Sequence, residues 1–383
     1  MTPAIPTPLQ PGVVPVILVS GVREGAMGSA AISLHLGLPD AVAVRHTIDT
    51  ERRILTRIVS DVTGILEREE LDLAHACVSC AIREDIVPAL ERLASSGRWS
   101  AIVACLPVAA DARQVCRVLA WSPRDAPHAG IAAVVVALDG ATVAEDLLGE
   151  DLLRERGWAT SDDDERGLAE VAGAMVEYAD VVCATEAPDP DELALLRTLA
   201  RPEVPVVTDP SMLDAATLAA GVHGFRSAED WVGEVRRGAL PPLPPGGVWR
   251  LDLRSDRPLH PRRFYDELAV LGSGPRRSRG CFWLPTRPGV VCVWDGAGGQ
   301  VGVGAAGRWA GRKPLTRITI IGLDDDLEDR AAIAEVFHRC LLTDDELDTR
   351  GRIWDDSRDG FEPWLGPIDR ADQPGLLDLA TDN

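Results

Sequence analysis

The sequence predicts an α/β fold: a mainly parallel sheet covered on both faces by helices, followed by a small α+β unit. Three observations carry this reading. Apolar, β-branched runs alternate with helical segments through the first 238 residues, the pattern of strands joined by helical crossovers. ALPPLPPGG at residues 239–247 then interrupts the alternation, and its prolines favour an extended spacer. Beyond it, short apolar runs separated by turn residues read as antiparallel strands.

The elements follow in order. VVPVILVS, ending at Ser20, is the first strand, and a helix of small residues is expected from Ser29 to Leu36. AVAVRH at 41–46 is the second strand, and ILTRIVSDVTGILERE is mixed, with helical spacing in its first half. Between Arg83 and Leu93, Ile86, Leu90 and Leu93 share one helical face. SAIVACL at 100–106 and IAAVVVALD at 131–139 read as strands, the second as a buried one. A helix ending near Tyr178 feeds the strand ADVVCA, and another from Pro190 to Ala200 feeds VPVVTD at 204–209. Ligands of such sheets bind beyond the carboxyl ends of the strands, where Gly21, His46, Leu106, Asp139 and Ala184 are expected. After the spacer come the helix FYDELAVL, the strands GCFWLPT, VVCVWDG, QVGVGA and TRITIIGLD, and the helix AAIAEVFHRCLL. An acidic, irregular tail closes the chain, with Trp354 and Trp364 as docking points.

The bulk properties narrow the function. A formal net charge of −21 repels a nucleic-acid backbone, so no direct contact with DNA is expected. Lys313 is the sole lysine. No signal peptide and no membrane-crossing stretch are read in the sequence. The eight cysteines are expected to be thiols of a reducing cytoplasm.

Two segments carry chemistry. SGVREGAMGSA, residues 20–30, lies between a strand and a helix, the context in which backbone amides hold phosphate. The full phosphate-loop motif needs Gly, four residues, then Gly-Lys-Ser/Thr. Counting from Gly21 puts Ala26 at the second glycine and Met27 at the lysine, followed by Gly28 and Ser29. Weak anion or nucleotide binding would fall to Gly21, Gly25, Gly28 and Ser29; otherwise the segment is a glycine-rich turn. The second segment is HACVSCAIRED. Cys77 and Cys80 have the spacing to chelate one soft cation, with His75 as a third candidate and the fourth place open to a strand-end side chain such as His46 or Asp49, to another protein or to water. A redox pair and two packed thiols are the competing readings.

These segments, with HPRRFYDELAVLGSG, RGCFWLPTRPG and FHRCLLTDDE in the last third, resemble the CobW-type family of P-loop GTPases and metallochaperones. The resemblance implies a P-loop-NTPase-like domain over 12–238, a linker at 239–247, a CobW C-terminal-like domain over 248–345, and a tail over 346–383. The family's Gly-Cys-x-Cys-Cys metal motif falls on Ala76, Cys77, Val78, Ser79 and Cys80, followed by Arg83 and Asp85. Its Glu-x-x-Gly falls on Cys105, Leu106, Pro107 and Val108, and its guanine-reading Asn-Lys-x-Asp on Ala184, Thr185, Glu186 and Ala187. With Met27 these are three departures from a working GTPase. The resemblance therefore implies a zinc-binding metallochaperone or zinc-responsive adaptor on a GTPase-like frame without efficient GTP hydrolysis. A client protein is the expected partner, with self-association left open. The alternatives are a recruiter of a ribosome-hibernation factor under zinc limitation, or an active GTP-binding member with an unusual loop.

Overall fold

The computed structural model describes residues 9–73, 78–159, 164–323, 327–350 and 358–368. The chain forms two compact units, Met1–Leu147 with Asp151–Val232, and Leu148–Glu150 with Gly233–Asn383.

The first unit is built on β1 Val14–Gly21, β2 Val42–Asp49, β3 Ile54–Asp61, β4 Gly64–Asp72, β5 Ile102–Cys105, β6 Ala129–Leu138, β7 Val181–Ala184 and β8 Val206–Val207. They lie in the order β4-β3-β2-β5-β1-β6-β7-β8. The strands from β2 to β8 in that order run parallel, and β3 and β4 add an antiparallel hairpin at one edge. The helices are α1 Glu24–Leu36, α2 Val78–Ala81, α3 Val87–Ser95, α4 Ala112–Trp121, α5 Val143–Leu148, α6 Leu168–Tyr178, α7 Pro190–Leu199, α8 Ala215–Gly221 and α9 Phe225–Val232. A π-helical turn, Ile82–Ile86, joins α2 to α3. Val16 to Val19 of β1 are wholly buried, which is why that run lacks polar alternation. One face of the sheet, with Ile17, Val19, Val103 and Val135, packs on Met27, Ala30 and Leu34 of α1 and Leu218 of α8.

Three expectations are corrected. ILTRIVSD is strand β3, not helix. Leu55, Arg57 and Val59 point inward with period two, and the arginine among them disguised the alternation. Asp61 closes the hairpin by accepting from the Thr63 N–H at 2.8 Å, and Gly64 takes a φ of +135° that a side chain would resist. Helix α1 starts at Glu24, five residues before Ser29. The strand expected over 204–209 shortens to Val206–Val207. The face carrying Ile86, Leu90 and Leu93 is buried as expected. Asp139 and His260 each cap a helical turn, accepting from the N–H groups of Ala141 and Arg263. No described helix is long and apolar enough to cross a membrane.

The second unit contains β9 Trp249–Ser255, α10 Pro261–Asp266, α11 Leu268–Gly272, β10 Arg276–Phe282, β11 Val290–Ala297, β12 Gln300–Arg308, β13 Thr316–Gly322, α12 Leu327–Cys340, α13 Asp344–Arg350 and α14 Glu362–Leu365. Its sheet is antiparallel, in the order β12-β11-β10-β13-β9. Its core gathers Phe264, Phe282, Trp294, Phe337 and Phe361. Phe361 comes from the segment expected to be an irregular tail. It is wholly buried and stacks on Phe264 at 5.6 Å. Next to it, Asp359 accepts from Thr286 at 2.7 Å and from Arg287 Nε at 2.8 Å. Trp364 packs on Tyr265 and Phe361; Trp354 lies outside the described residues.

Phe361→Ala is expected to destabilise the second unit by about 3–5 kcal/mol, the range for emptying an aromatic core site, as read by chemical denaturation. In the first unit, Glu229 is gripped by Arg113 and Arg117 at 2.7–3.0 Å. Burial pushes its carboxyl up, but the two guanidinium groups outweigh burial and hold it at about 2, against an ordinary value of 4.5. A depressed folded-state pKa contributes stability above the ordinary value and loses it as pH falls toward the folded value. Glu229→Gln should therefore flatten the acid limb of a stability–pH curve between those two values.

Candidate functional site

The loop after β1 is shorter than a phosphate cradle. The strand ends at Gly21 and α1 begins at Glu24, leaving Val22 and Arg23 between them. A Cβ on Gly21 would meet the Ala137 carbonyl oxygen at 2.4 Å and Met27 Cγ at 3.0 Å. Met27, at the lysine position, is only 2% exposed and belongs to the core. Its N–H is spent on the Arg23 carbonyl at 3.0 Å, and Ser29 Oγ donates to the Gly25 carbonyl at 2.9 Å. Gly25, Gly28 and Ser29 thus lie on the helix rather than in a loop before it. The Glu24 carboxylate takes the first turn and pairs with Arg45, and a carboxylate at a helix N-terminus already satisfies that dipole. Arg23 turns away to the wholly buried Asp146, Nε to Oδ2 at 2.9 Å.

Beyond the carboxyl ends of β1, β2 and β5 lies a cavity of 180 Å³, bounded by Glu24, Met27, Arg45, Cys105, Pro107 and Trp158. Burial pushes the Cys105 thiol up to about 11, so it stays protonated and poorly nucleophilic at neutral pH. Where the resemblance places a guanine-reading loop, the Glu186 backbone sits against Gly140, leaving no room there for a Cβ.

The cysteine segment is the more structured candidate. Ala74 to Cys77 lie outside the described residues, so His75 and Cys77 are not placed. Cys80 is on α2 and 7% exposed. Five residues on, in the π turn, Asp85 points into the sheet and is 4% exposed. His46 and Arg57 are directly opposite each other across β2 and β3, so their side chains share a face, and Asp85 meets both. Its Oδ2 lies 3.0 Å from His46 Nε2 and its Oδ1 takes Arg57 Nη1. Arg57 is held in turn by Glu67 at 3.0 and 2.8 Å and by Glu69, and Arg92 reaches Glu67 at 2.8 Å. His46 Nδ1 is buried and has no hydrogen-bond partner among the described residues. Arg83 points to solvent beside Glu84.

Among the described residues no three His, Cys, Asp or Glu side chains converge as a complete metal site. The remaining thiols are buried. Burial pushes those of Cys183, Cys292 and Cys340 to about 12 and that of Cys281 to about 11. Sequence reasoning missed Arg57, whose signal was a single arginine on the buried face of an otherwise apolar strand.

Residues 248–341 match the cobalamin synthesis protein cobW C-terminal domain. The chain carries a CobW C-terminal domain. Across its length it is also similar to curated proteins. It is 28% identical over 385 residues to a zinc chaperone of Mycobacterium tuberculosis, covering 91% of this chain and 93% of that one. It is 22% identical over 341 residues to zinc-regulated GTPase metalloprotein activator 1 of Dictyostelium discoideum, covering 78% and 70%. A solved structure of the Zn(II)-bound YjiA GTPase from E. coli aligns with 86% of this chain and 99% of its own at 15% identity. Its TM-score of 0.35 is too low to equate the two folds. The CobW C-terminal domain occupies the second unit, whereas the cysteine segment and the altered loop lie in the first.

Gly21 at the end of β1 and Gly25 in α1 give a test. Gly21→Ala drives a Cβ into a carbonyl oxygen and should cost about 1–3 kcal/mol as overpacking. Gly25→Ala meets open space on a helix and should stabilise by roughly 0.5–1 kcal/mol. Urea denaturation of the two variants reads both signs.

Proposed function

We propose that this chain is a zinc-binding metallochaperone or zinc-responsive adaptor, built on a GTPase-like frame that does not turn over GTP efficiently. The observation that carries the proposal is the His46–Asp85 contact: an imidazole with one nitrogen engaged and the other buried with no partner among the described residues, held by a carboxylate five residues after Cys80. Imidazole with thiolate suits Zn²⁺. The names of the zinc chaperone and the zinc-regulated activator support the same cargo.

In this reading zinc is cargo, held by Cys77, Cys80 and His46, with His75 as a further donor. Asp85 holds the His46 ring through Nε2. With Cys77, Cys80 and His46 alone bound, the fourth coordination position stays open for exchange, by His75 or by a client's ligand, which suits delivery or sensing better than permanent structure. Metal shifts the conformation only to the extent that its affinity differs between two states. Client recognition falls to the CobW C-terminal domain. Loss of efficient turnover is supported by Met27 in the core, by α1 beginning at Glu24, and by Cys105 and Val108 at the Glu-x-x-Gly positions.

The test is metal content and competitive Zn²⁺ affinity of tag-free protein beside Cys77→Ser/Cys80→Ser. Near one-to-one binding that is lost in the double variant is expected. Zinc retained by the double variant sinks the site, and GTP turnover abolished by Ser29→Ala sinks the loss of hydrolysis.

A further inference from the structure

The cysteine-bearing helix does not run straight into α3; it passes through a π turn at Ile82–Ile86. Such a turn inserts one residue and changes which side chain faces the sheet, and it is frequent at functional sites. Here the residue turned inward is Asp85, a carboxylate in a layer otherwise formed by Ile82, Ile86 and Leu90. A carboxylate only accepts hydrogen bonds. Its contact with His46 therefore requires the proton on Nε2, which leaves the lone pair of the neutral ring on Nδ1. Nδ1 is the buried nitrogen that has no partner among the described residues. The opposite oxygen of Asp85 is fixed by Arg57, and Arg57 by Glu67 and Glu69 of the edge strand β4.

We infer that Asp85 is the positioning residue of the zinc site: it sets the tautomer and ring orientation of His46 so that Nδ1 is offered to the metal, and Arg57 anchors it from the β3–β4 hairpin. The inference rests on the zinc reading of the same segment. It makes the hairpin part of the site, although no residue of β4 is a ligand candidate. Partners of this kind, one bond removed from the metal, change metal affinity by about 10- to 100-fold when removed.

The experiment uses the full chain. Nitrogen-15 NMR of histidine-labelled, metal-free protein shows which nitrogen of His46 carries the proton. Competition with a chromophoric chelator gives zinc affinity for the wild type, Asp85→Ala, Asp85→Glu and Cys77→Ser/Cys80→Ser. The wild type is expected to hold the proton on Nε2. Asp85→Ala should release that preference and weaken zinc binding by about 10- to 100-fold, and Asp85→Glu should recover part of the loss. If Asp85→Ala fails to fold, Asp85→Asn takes its place, with a smaller loss expected. A wild-type proton on Nδ1, or folded Asp85 variants that bind zinc as the wild type does, overturns the inference and leaves the zinc reading standing. A wild type that binds no more zinc than the cysteine double variant overturns the zinc reading and this inference with it.

Discussion

The buried carboxylate of Asp85 is the constraint from which the first unit's site takes its shape. An ionised carboxylate inside a fold must be paired and hydrogen-bonded, and removing one partner of such a pair typically costs about 3–5 kcal/mol. Asp85 meets this need with two side chains from neighbouring strands, His46 and Arg57. The helix is thereby fixed in rotation and in position along the sheet. Cys80, five residues earlier on the same helix, inherits that placement. The irregular helical turn is the local concession that lets Asp85 face inward while Ile82, Ile86 and Leu90 keep their places in the core.

How far this was legible in the sequence follows from what each segment had to satisfy. Strands buried on both faces, such as β1 and β6, announce themselves by composition, because few polar residues are tolerated there. The β3–β4 hairpin did not. Its buried face includes Arg57, and an arginine becomes an acceptable core residue only once Asp85 and Glu67 are seen beside it. Those partners lie 28 and 10 residues further along the chain, beyond the reach of local periodicity. The loop after β1 was legible in chemistry and not in geometry. The missing lysine was plain, whereas the early start of α1 depends on Met27 packing between β1 and β6, a tertiary contact. His46 was nominated as a strand-end ligand, yet its partner was invisible without the helix laid over the sheet.

The second unit shows the same logic in its core. The CobW C-terminal domain match ends at residue 341, but the core it encloses is completed by Phe361. Composition marks the end of the chain as acidic tail, because acidic residues surround the few apolar ones. What anchors it is one aromatic ring in the core and one carboxylate, Asp359. Burial pushes that carboxyl up, and Arg287 and Thr286 outweigh burial to hold it below its ordinary range. A short segment with a single strong anchor of each kind has no periodicity to detect.

A second arrangement in the first unit sharpens what the proposed site requires. At the start of β7, Asp180 pairs with Arg201 at 2.5 Å and with His223 Nδ1 at 2.8 Å, and His223 Nε2 is buried with no hydrogen-bond partner among the described residues. In side-chain chemistry this is the same His–Asp–Arg triad. Asp180, however, also accepts the backbone N–H of Val134 at 2.8 Å, and Arg201 donates to the Ala179 carbonyl, so its work is to close the start of a strand. Burial, the largest effect on the neighbouring Cys116 thiol, raises it well above its ordinary value of 9.0, so it stays protonated at neutral pH. A histidine oriented by a carboxylate is therefore a structural staple by default. What sets the first triad apart is the sequence just before it: Cys77 and Cys80, three residues apart, the pair on which the proposed zinc site rests.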